Sequence, residues 1–333
     1  MISVTVPARV GILGNPSDGY GGRTLSLALP RFGATVTLEA ADRLEIVENE
    51  EDRPVWSSVG ELVDRIDRQG YGTGPQLLAA AVRTFADVAH SVEHRGFPGQ
   101  TFRLGYSTTI PRQVGLGGSS ALVIATLRAL GQETGLELPP EVLPSIALRA
   151  ETEQLGITAG LQDRVIQTYG GLVSMNFGEM TTDARFGVSH GEYRGLDPAG
   201  LPPLFLAYRE RSAEPSGTYH RTLRDRFDRG DGVVREGLKA LAGLVVEGEA
   251  AVRWGSGERL AELIDRNMGI RRTLAPIPES QLDLVDAVGD LGFSATFAGS
   301  GGAIVGVHAG PDDLDLLTGA LAARDATVVP ISV

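Results

Sequence analysis

Between Ile110 and Leu130 the chain reads IPRQVGLGGSSALVIATLRAL, a run in which residue types and spacing suit the holding of an anion. Pro111 sets the approach. Gly115, Leu116, Gly117, Gly118, Ser119 and Ser120 follow, and from Ala121 the residues turn apolar and helix-compatible. Glycines running into a helix start let backbone amides crowd around an anion, and the free N–H groups and dipole of the first turn attract phosphate. Ser119 and Ser120 add hydroxyls that can cap the helix or reach a magnesium ion. The run lacks the lysine of a Walker loop and the glycine spacing of a dinucleotide fingerprint. Taken by itself it also fits an ordinary capped loop-to-helix turn.

A second cluster follows in IALRAETEQLGITAGLQDRVIQTYGG, from Ile146 to Gly171. A helix carrying Ile146, Ala147, Ala150 and Leu155 brings Glu151 and Glu153 near its C-terminal end, and Gly156 breaks it. Thr158, Ala159 and Gly160 then lead into an element with Gln162, Asp163 and Arg164 in its first turns. Acids on either side of a glycine turn can converge, one to ligate magnesium and the other to accept a proton from an attacking hydroxyl. Without the phosphate loop they would read as solvated helix charges and a dipole partner. Earlier in the chain, Asn15-Pro16-Ser17-Asp18-Gly19-Tyr20-Gly21-Gly22 is dense loop chemistry between strands, suited to a substrate loop or a plain hairpin connection. Near the end, Ala298-Gly299-Ser300-Gly301-Gly302 is a glycine-rich turn between two strands.

Taken in order, these stretches resemble the motifs of the GHMP kinases. The loop is similar to their P-x-x-x-G-L-G-S-S-A motif, with Gly118 in place of the first serine and Ser119 matching the second. ARVGILGNPSDGYGGRTLSL resembles the superfamily's N-terminal substrate motif. Its wording, with GLQDRVIQTYGGLV, EPSGTYHRTLRDRF and LIDRNMGIRRTL, is most similar to glucuronokinases, and the resemblance runs from about residue 8 to residue 307. It implies an ATP-dependent kinase using Mg²⁺. Pro111, Gly115, Leu116, Gly117, Gly118, Ser119 and Ser120 would hold the nucleotide phosphates. Ser119 and Glu151 would hold the metal, with Glu153 as the rival acid. Arg9 would lie near the transferred phosphate, Asp163 would be the base, and Asn15 and Asp18 would face the sugar. Gly299, Ser300 and Gly301 would close on the substrate and phosphate region. The acceptor implied is glucuronate at its anomeric hydroxyl. A heptose-phosphate, fucose or other sugar kinase stays open, as does a catalytically silent sensor of sugar and ATP. A glucuronate carboxylate asks for a guanidinium, and Arg23, at the end of the substrate loop, is preferred to Arg164 or to Arg271 and Arg272.

These groups need a scaffold to bring them together. Ser3 to Leu13 reads as one bent strand or two short ones around Pro7, with Thr24 to Leu29 and Ala34 to Leu38 as strands beyond the loop. Gln76 to His94 carries an apolar stripe at helical spacing. Gly191 to Pro203 reads as a hinge, dividing the chain into residues 1–195 and 196–333. Helices and strands alternate beyond it. The resemblance implies an α+β, two-domain GHMP kinase fold, with a ribosomal-protein-S5-like N-terminal domain and a ferredoxin-like C-terminal domain. The 333 residues suit two domains. Cysteine is absent, which removes disulfides and thiolate metal sites. A formal charge of −12 argues against nucleic-acid or anionic-membrane partners, and no apolar run approaches a membrane span. The expectation is a cytoplasmic protein whose partners are a small sugar acid and ATP. The acidic cluster within Leu44 to Asp52 reads most simply as a solvated strand end and loop, and no function is assigned to it.

Overall fold

The computed structural model describes residues 1–47, 54–71, 75–209 and 217–332, so most of the acidic cluster and the beginning of the EPSGTYHRTLRDRF patch lie outside the described residues. The chain runs β1 (Ile2–Leu13), β2 (Arg23–Ala40), β3 (Leu44–Val47), β4 (Val55–Trp56), α1 (Val59–Gln69), α2 (Gln76–Ser91) and β5 (Phe102–Thr108). Then come α3 (Gly118–Thr134), α4 (Leu143–Thr152), α5 (Gln162–Tyr169), β6 (Leu172–Asp183) and β7 (Val188–Leu196). After β8 (Leu204–Arg209) follow α6 (Gly217–Asp228), α7 (Gly232–Arg253), α8 (Gly257–Leu274) and α9 (Glu279–Asp290). The chain closes with β9 (Ala295–Phe297), β10 (Ala303–Val307), α10 (Pro311–Ala322) and β11 (Ala326–Ile331).

Two sheets result. The first runs β4-β3-β5-β2-β6-β7 with β1 paired to β2, and the second is antiparallel in the order β11-β8-β10-β9. β1 alternates in its first half and is buried throughout from Ala8 to Leu13, as expected of a strand that gains cover on both faces. It is one strand, with a register shift between Pro7 and Ala8 where proline removes a ladder donor. The two strands read at 24–29 and 34–38 are likewise a single long strand, β2. Its first half pairs with β6 and its second with β5. α3 is buried around most of its circumference (Ala121, Val123, Ile124, Ala125, Leu127, Leu130), so its low amphipathicity reflects a central helix. Part of the segment read as a hinge is regular structure. Gly191 to Leu196 belongs to β7, and Gly200 packs so closely on Val252 that a Cβ would lie 1.8 Å from its carbonyl oxygen. One apolar core joins Val10, Leu13 and Leu25 of the first sheet to Leu241, Leu244 and Val245 of α7.

Candidate active site

The start of α3, the loop after β1, the turn before α5 and the inner face of α6 open on one cleft of about 710 Å³. Its lining includes a largely apolar set, Leu77, Leu78, Tyr106, Ile110 and Leu122, and a polar set, Asn15, Asp18, Tyr20, Asp163, His220 and Arg224. The phosphate loop lies along it.

Arg9 joins the parts. Its backbone N–H donates to the Leu116 carbonyl at 3.2 Å, which ties β1 to the phosphate loop. Its side chain is 4% exposed and donates from Nε and Nη2 to the two carboxylate oxygens of Asp163, both at 2.6 Å. Nη1 donates to the carbonyls of Gly115 at 2.5 Å and Ala298 at 3.2 Å. A guanidinium has five N–H donors, so these four bonds leave one for a ligand. Burial alone would push the Asp163 carboxyl up. The Arg9 charge and hydrogen bonds, helped by Arg164, outweigh burial and hold it below the ordinary carboxylate range. Asp163 is therefore an ionised acceptor aimed into the cleft.

The loop needs its glycines. Gly115 and Gly117 have φ of +76° and +77°, the left-handed region that favours glycine. A Cβ on Gly115 would stand 2.6 Å from the Gly301 carbonyl oxygen. Gly117 caps α3 without a side-chain hydrogen bond, so the first amides of the helix are not satisfied by a cap. Gly118 differs: a Cβ there meets only Ile110, at 3.7 Å, so packing does not demand glycine where the motif has serine. The two serines also divide. Ser120 is buried and donates from Oγ to the Gly117 carbonyl at 3.1 Å, whereas Ser119 is exposed on the cleft.

Glu151 is 1% exposed and accepts both Nε and Nη2 of Arg164 on Oε2, the former at 2.8 Å. Burial pushes its carboxyl up despite the Arg164 charge. Both bonds end on one oxygen, which leaves Oε1 without a hydrogen-bond donor among the described residues, on a side chain that lines the cleft. A carboxylate oxygen and an exposed hydroxyl form a donor set suited to magnesium completed by phosphates and water. Glu153 does not fit that role. It is 57% exposed, accepts from Arg149 at 3.1 Å and does not line the cleft.

On the loop after β1, Asn15 donates to Gln162 Oε1 at 2.9 Å, and Asn15 Oδ1 and Gln162 Nε2 are buried without partners among the described residues. Of the two residues Asn15 lines the cleft, and its unpaired amide oxygen suits a hydroxyl donor. Asp18 accepts the Gln162 N–H at 3.3 Å. Its carboxylate comes so close to Gly160 that a Cβ there would lie 2.1 Å from Oδ2. Burial, then repulsion from Asp163, push the Asp18 carboxyl up to about 6, against the backbone N–H groups of Gln162 and Gly19 and the charge of Arg164. It is thus ionised above about pH 6 and protonated below, where the neutral carboxyl is a weaker acceptor and carries an O–H donor. The expected result is an acid limb in kcat/KM centred near pH 6, since that parameter reports the free enzyme. Asp18→Asn lowers kcat/KM and abolishes that limb; a limb that persists unchanged in the variant assigns it elsewhere.

Several expected residues lie differently. Arg23 stands on β2 opposite Asn176 of β6 and does not line the cleft, because strand geometry carries it away from the loop it follows. Gly299 and Gly301 do not line it either. A Cβ on Gly299 would meet the Gly115 carbonyl oxygen at 2.3 Å and Arg9 Nη1 at 2.9 Å, and one on Gly301 would meet Gln281 at 2.5 Å. They brace Arg9 and the phosphate loop from behind, and of the three residues only Ser300 lines the cleft. Arg271 is 1% exposed and donates to the Gly299 carbonyl at 3.0 Å, while Arg272 pairs with Asp286. Tyr20, His220 and Arg224 line the cleft without having been singled out. His220 and Arg224 sit four apart on α6, a spacing that puts them on one helix face. Burial, with Arg271 nearby, pushes His220 down to about 4, so it is neutral at pH 7.

Residues 70–171 match the family model for the N-terminal domain of GHMP kinases. The chain is 37% identical to Glucuronokinase 1 of Arabidopsis thaliana, across 98% of this chain and 90% of that protein. It is 39% identical to the Probable glucuronokinase 2 of the same plant, across 90% and 82% respectively. Among solved structures, the fold is similar to that of Streptococcus pneumoniae phosphomevalonate kinase in complex with phosphomevalonate and AMPPNP. That match has a TM-score of 0.77 at 16% identity and covers 99% of this chain and all of the other. No helix among the described residues is long and apolar enough to cross a membrane.

Proposed function

Because the chain belongs to the glucuronokinase branch of the GHMP kinases, we propose that it transfers the terminal phosphoryl group of ATP to the anomeric hydroxyl of D-glucuronate. The products are D-glucuronate 1-phosphate, ADP and the proton of the hydroxyl. The observation that carries this reading is the buried Arg9–Asp163 pair, which opens on one cleft with the start of α3 and the Asn15–Asp18 loop. Phosphoryl transfer asks chiefly for positioning and charge neutralisation, and the residues divide along those lines. The amides of Gly115 to Ser120 hold the nucleotide phosphates, with the base against Leu77, Ile110 and Leu122. Ser119 and Glu151 would hold magnesium, which would supply neutralisation of phosphate charge. Asn15 and Asp18 hold sugar hydroxyls. Asp163 accepts the proton of the attacking hydroxyl, and the spare N–H of Arg9 meets an oxygen of the transferred group. In this scheme residues 1–195 supply most of the chemistry, and residues 196–333 contribute His220, Arg224 and Ser300. The reaction is set in the cytoplasm, where ATP is supplied.

The test is a panel of glucuronate, galacturonate, glucose, fucose and heptose 7-phosphate, each with ATP and Mg²⁺, followed by ADP release. Glucuronate is expected to have the highest kcat/KM, and its product to lose reducing-sugar reactivity because the anomeric oxygen is blocked. A neutral sugar or a sugar phosphate as clear favourite would overturn the choice of acceptor.

A further inference from the structure

We propose that Arg224 is the residue that reads the carboxylate of the acceptor and so sets uronate selectivity, an inference that rests on the uronate reading above. A carboxylate entering the cleft meets the carboxyl groups of Asp18 and Asp163, which line it, so a cation must offset them. Other cleft arginines are engaged. Arg9 spends two bonds on Asp163, and Arg164 is held by Glu151 and the Gly160 carbonyl. Arg112 also lines the cleft, in the run that leads into the phosphate loop three residues before Gly115. Arg23 is off the cleft, Arg271 is buried behind Gly299, and Arg272 pairs with Asp286. His220 lines the cleft but is neutral at pH 7.

Arg224 is different in kind. It lines the cleft, and among the described residues its carboxylate neighbour is the exposed Asp228, at 4.0 Å, beyond hydrogen-bonding distance. Its position is nevertheless set. Nη2 donates to the Gly19 carbonyl at 2.7 Å, and its guanidinium carbon lies 4.2 Å from the ring centroid of Tyr20. Tyr20 in turn packs on Phe227 of the same helix, with ring centroids 4.7 Å apart. Stacking holds the guanidinium plane and leaves its edge for a ligand, the geometry that suits bidentate capture of a carboxylate. Gly19 and Tyr20 directly follow Asp18. One loop therefore offers an acceptor to the sugar hydroxyls and seats the cation for the carboxylate, separating the polar and charged ends of a uronic acid.

The experiment compares D-glucuronate with D-glucuronamide, which keeps the shape and lacks the charge. Each is measured in the parent, in Arg224→Gln and in Arg224→Lys. The amide is assayed as a competitor of glucuronate, which works whether or not it is phosphorylated. In Arg224→Gln the kcat/KM for glucuronate is expected to fall about ten- to a hundred-fold, the scale of a lost charge-assisted contact. The affinity for the amide should change by less than about three-fold, so discrimination between the two collapses. Arg224→Lys keeps the charge without the fork and is expected to fall between the two. A parallel loss for both ligands in Gln and Lys variants, with discrimination unchanged, would show that Arg224 only props the Gly19 loop and would overturn the proposal. A parent that favours a neutral sugar reports the failure of the uronate reading itself before any variant is made. Thermal melts check that the variants are folded, as expected for a helix position whose side chain is 48% exposed.

Discussion

Asp163→Asn is expected to lower kcat by about 10²–10⁴-fold, the range for a positioned proton acceptor. The size follows from what Asp163 does in the cleft. It is the acid that faces the cleft immediately after the Gly160 turn, and both its oxygens are aligned by Arg9. Asparagine keeps one carbonyl oxygen for Arg9 but cannot take a proton, so geometry is spared more than chemistry. Nucleotide binding, which uses the loop amides, should change little. The lower end of the range follows if the transition state is loose and the hydroxyl loses its proton late. Single-turnover measurement at saturating substrate separates this from slow product release. A rate within a factor of about two of the parent would remove Asp163 from proton transfer.

The phosphate loop, the acids and the substrate loop were legible because each is a local run in which glycine, hydroxyl and carboxylate types sit at close spacing. Asp163 and Ser119 reach the cleft for the reasons the residues suggest: a helix start after glycines, and a first-turn acid after a glycine turn. The choice between Ser119 and Ser120 could not be made from types alone, since either hydroxyl can cap. Burial of Ser120 against the Gly117 carbonyl separates them.

What stayed illegible depends on contacts between segments far apart in the chain. Arg23 sits next to the substrate loop in sequence, yet β2 begins there and carries it away from the cleft. Arg224 is about two hundred positions from Gly19, and although it lies in the EPSGTYHRTLRDRF stretch, that stretch carries several arginines and only the fold brings this one to the Gly19 loop. The third glycine run is recognisable as a turn, but its role is visible only when Gly299 meets Arg9 and the Gly115 carbonyl at separations too short for a side chain. The long strand β2 was read as two because Pro30, Arg31 and Phe32 interrupt its alternation. Pairing with β1 on one side, and with β6 and then β5 on the other, carries the strand through.

Arg9→Met tests whether the pair works as a unit, and its expected loss in kcat is about 10²–10³-fold, the scale of removing a preorganised donor. Methionine fills similar space but leaves Asp163 with its burial and without its cation. Burial pushes a carboxyl up, and the main opposing influence has been removed. The sign is therefore fixed: Asp163 in the variant is protonated over a higher pH range than in the parent, and activity is lost earlier as pH falls. The acid limb of kcat should move toward neutrality in Arg9→Met, while the parent keeps Asp163 ionised well into the acid range. Stability should drop as well. Breaking a buried pair costs about 3–5 kcal/mol, and the 23% exposure of Asp163 points to the lower end. The Gly115 and Ala298 carbonyls also lose their donor, so the phosphate loop and third glycine run loosen together. In a double-mutant cycle, Arg9→Met with Asp163→Asn should cost less in kcat than the product of the two single losses, because part of the arginine's effect runs through the carboxylate it aligns and only the rest through its spare N–H. Multiplying losses would mean that Arg9 acts mainly on the transferred phosphoryl group, independently of Asp163. An Arg9→Met kcat within about three-fold of the parent would dissolve the unit altogether.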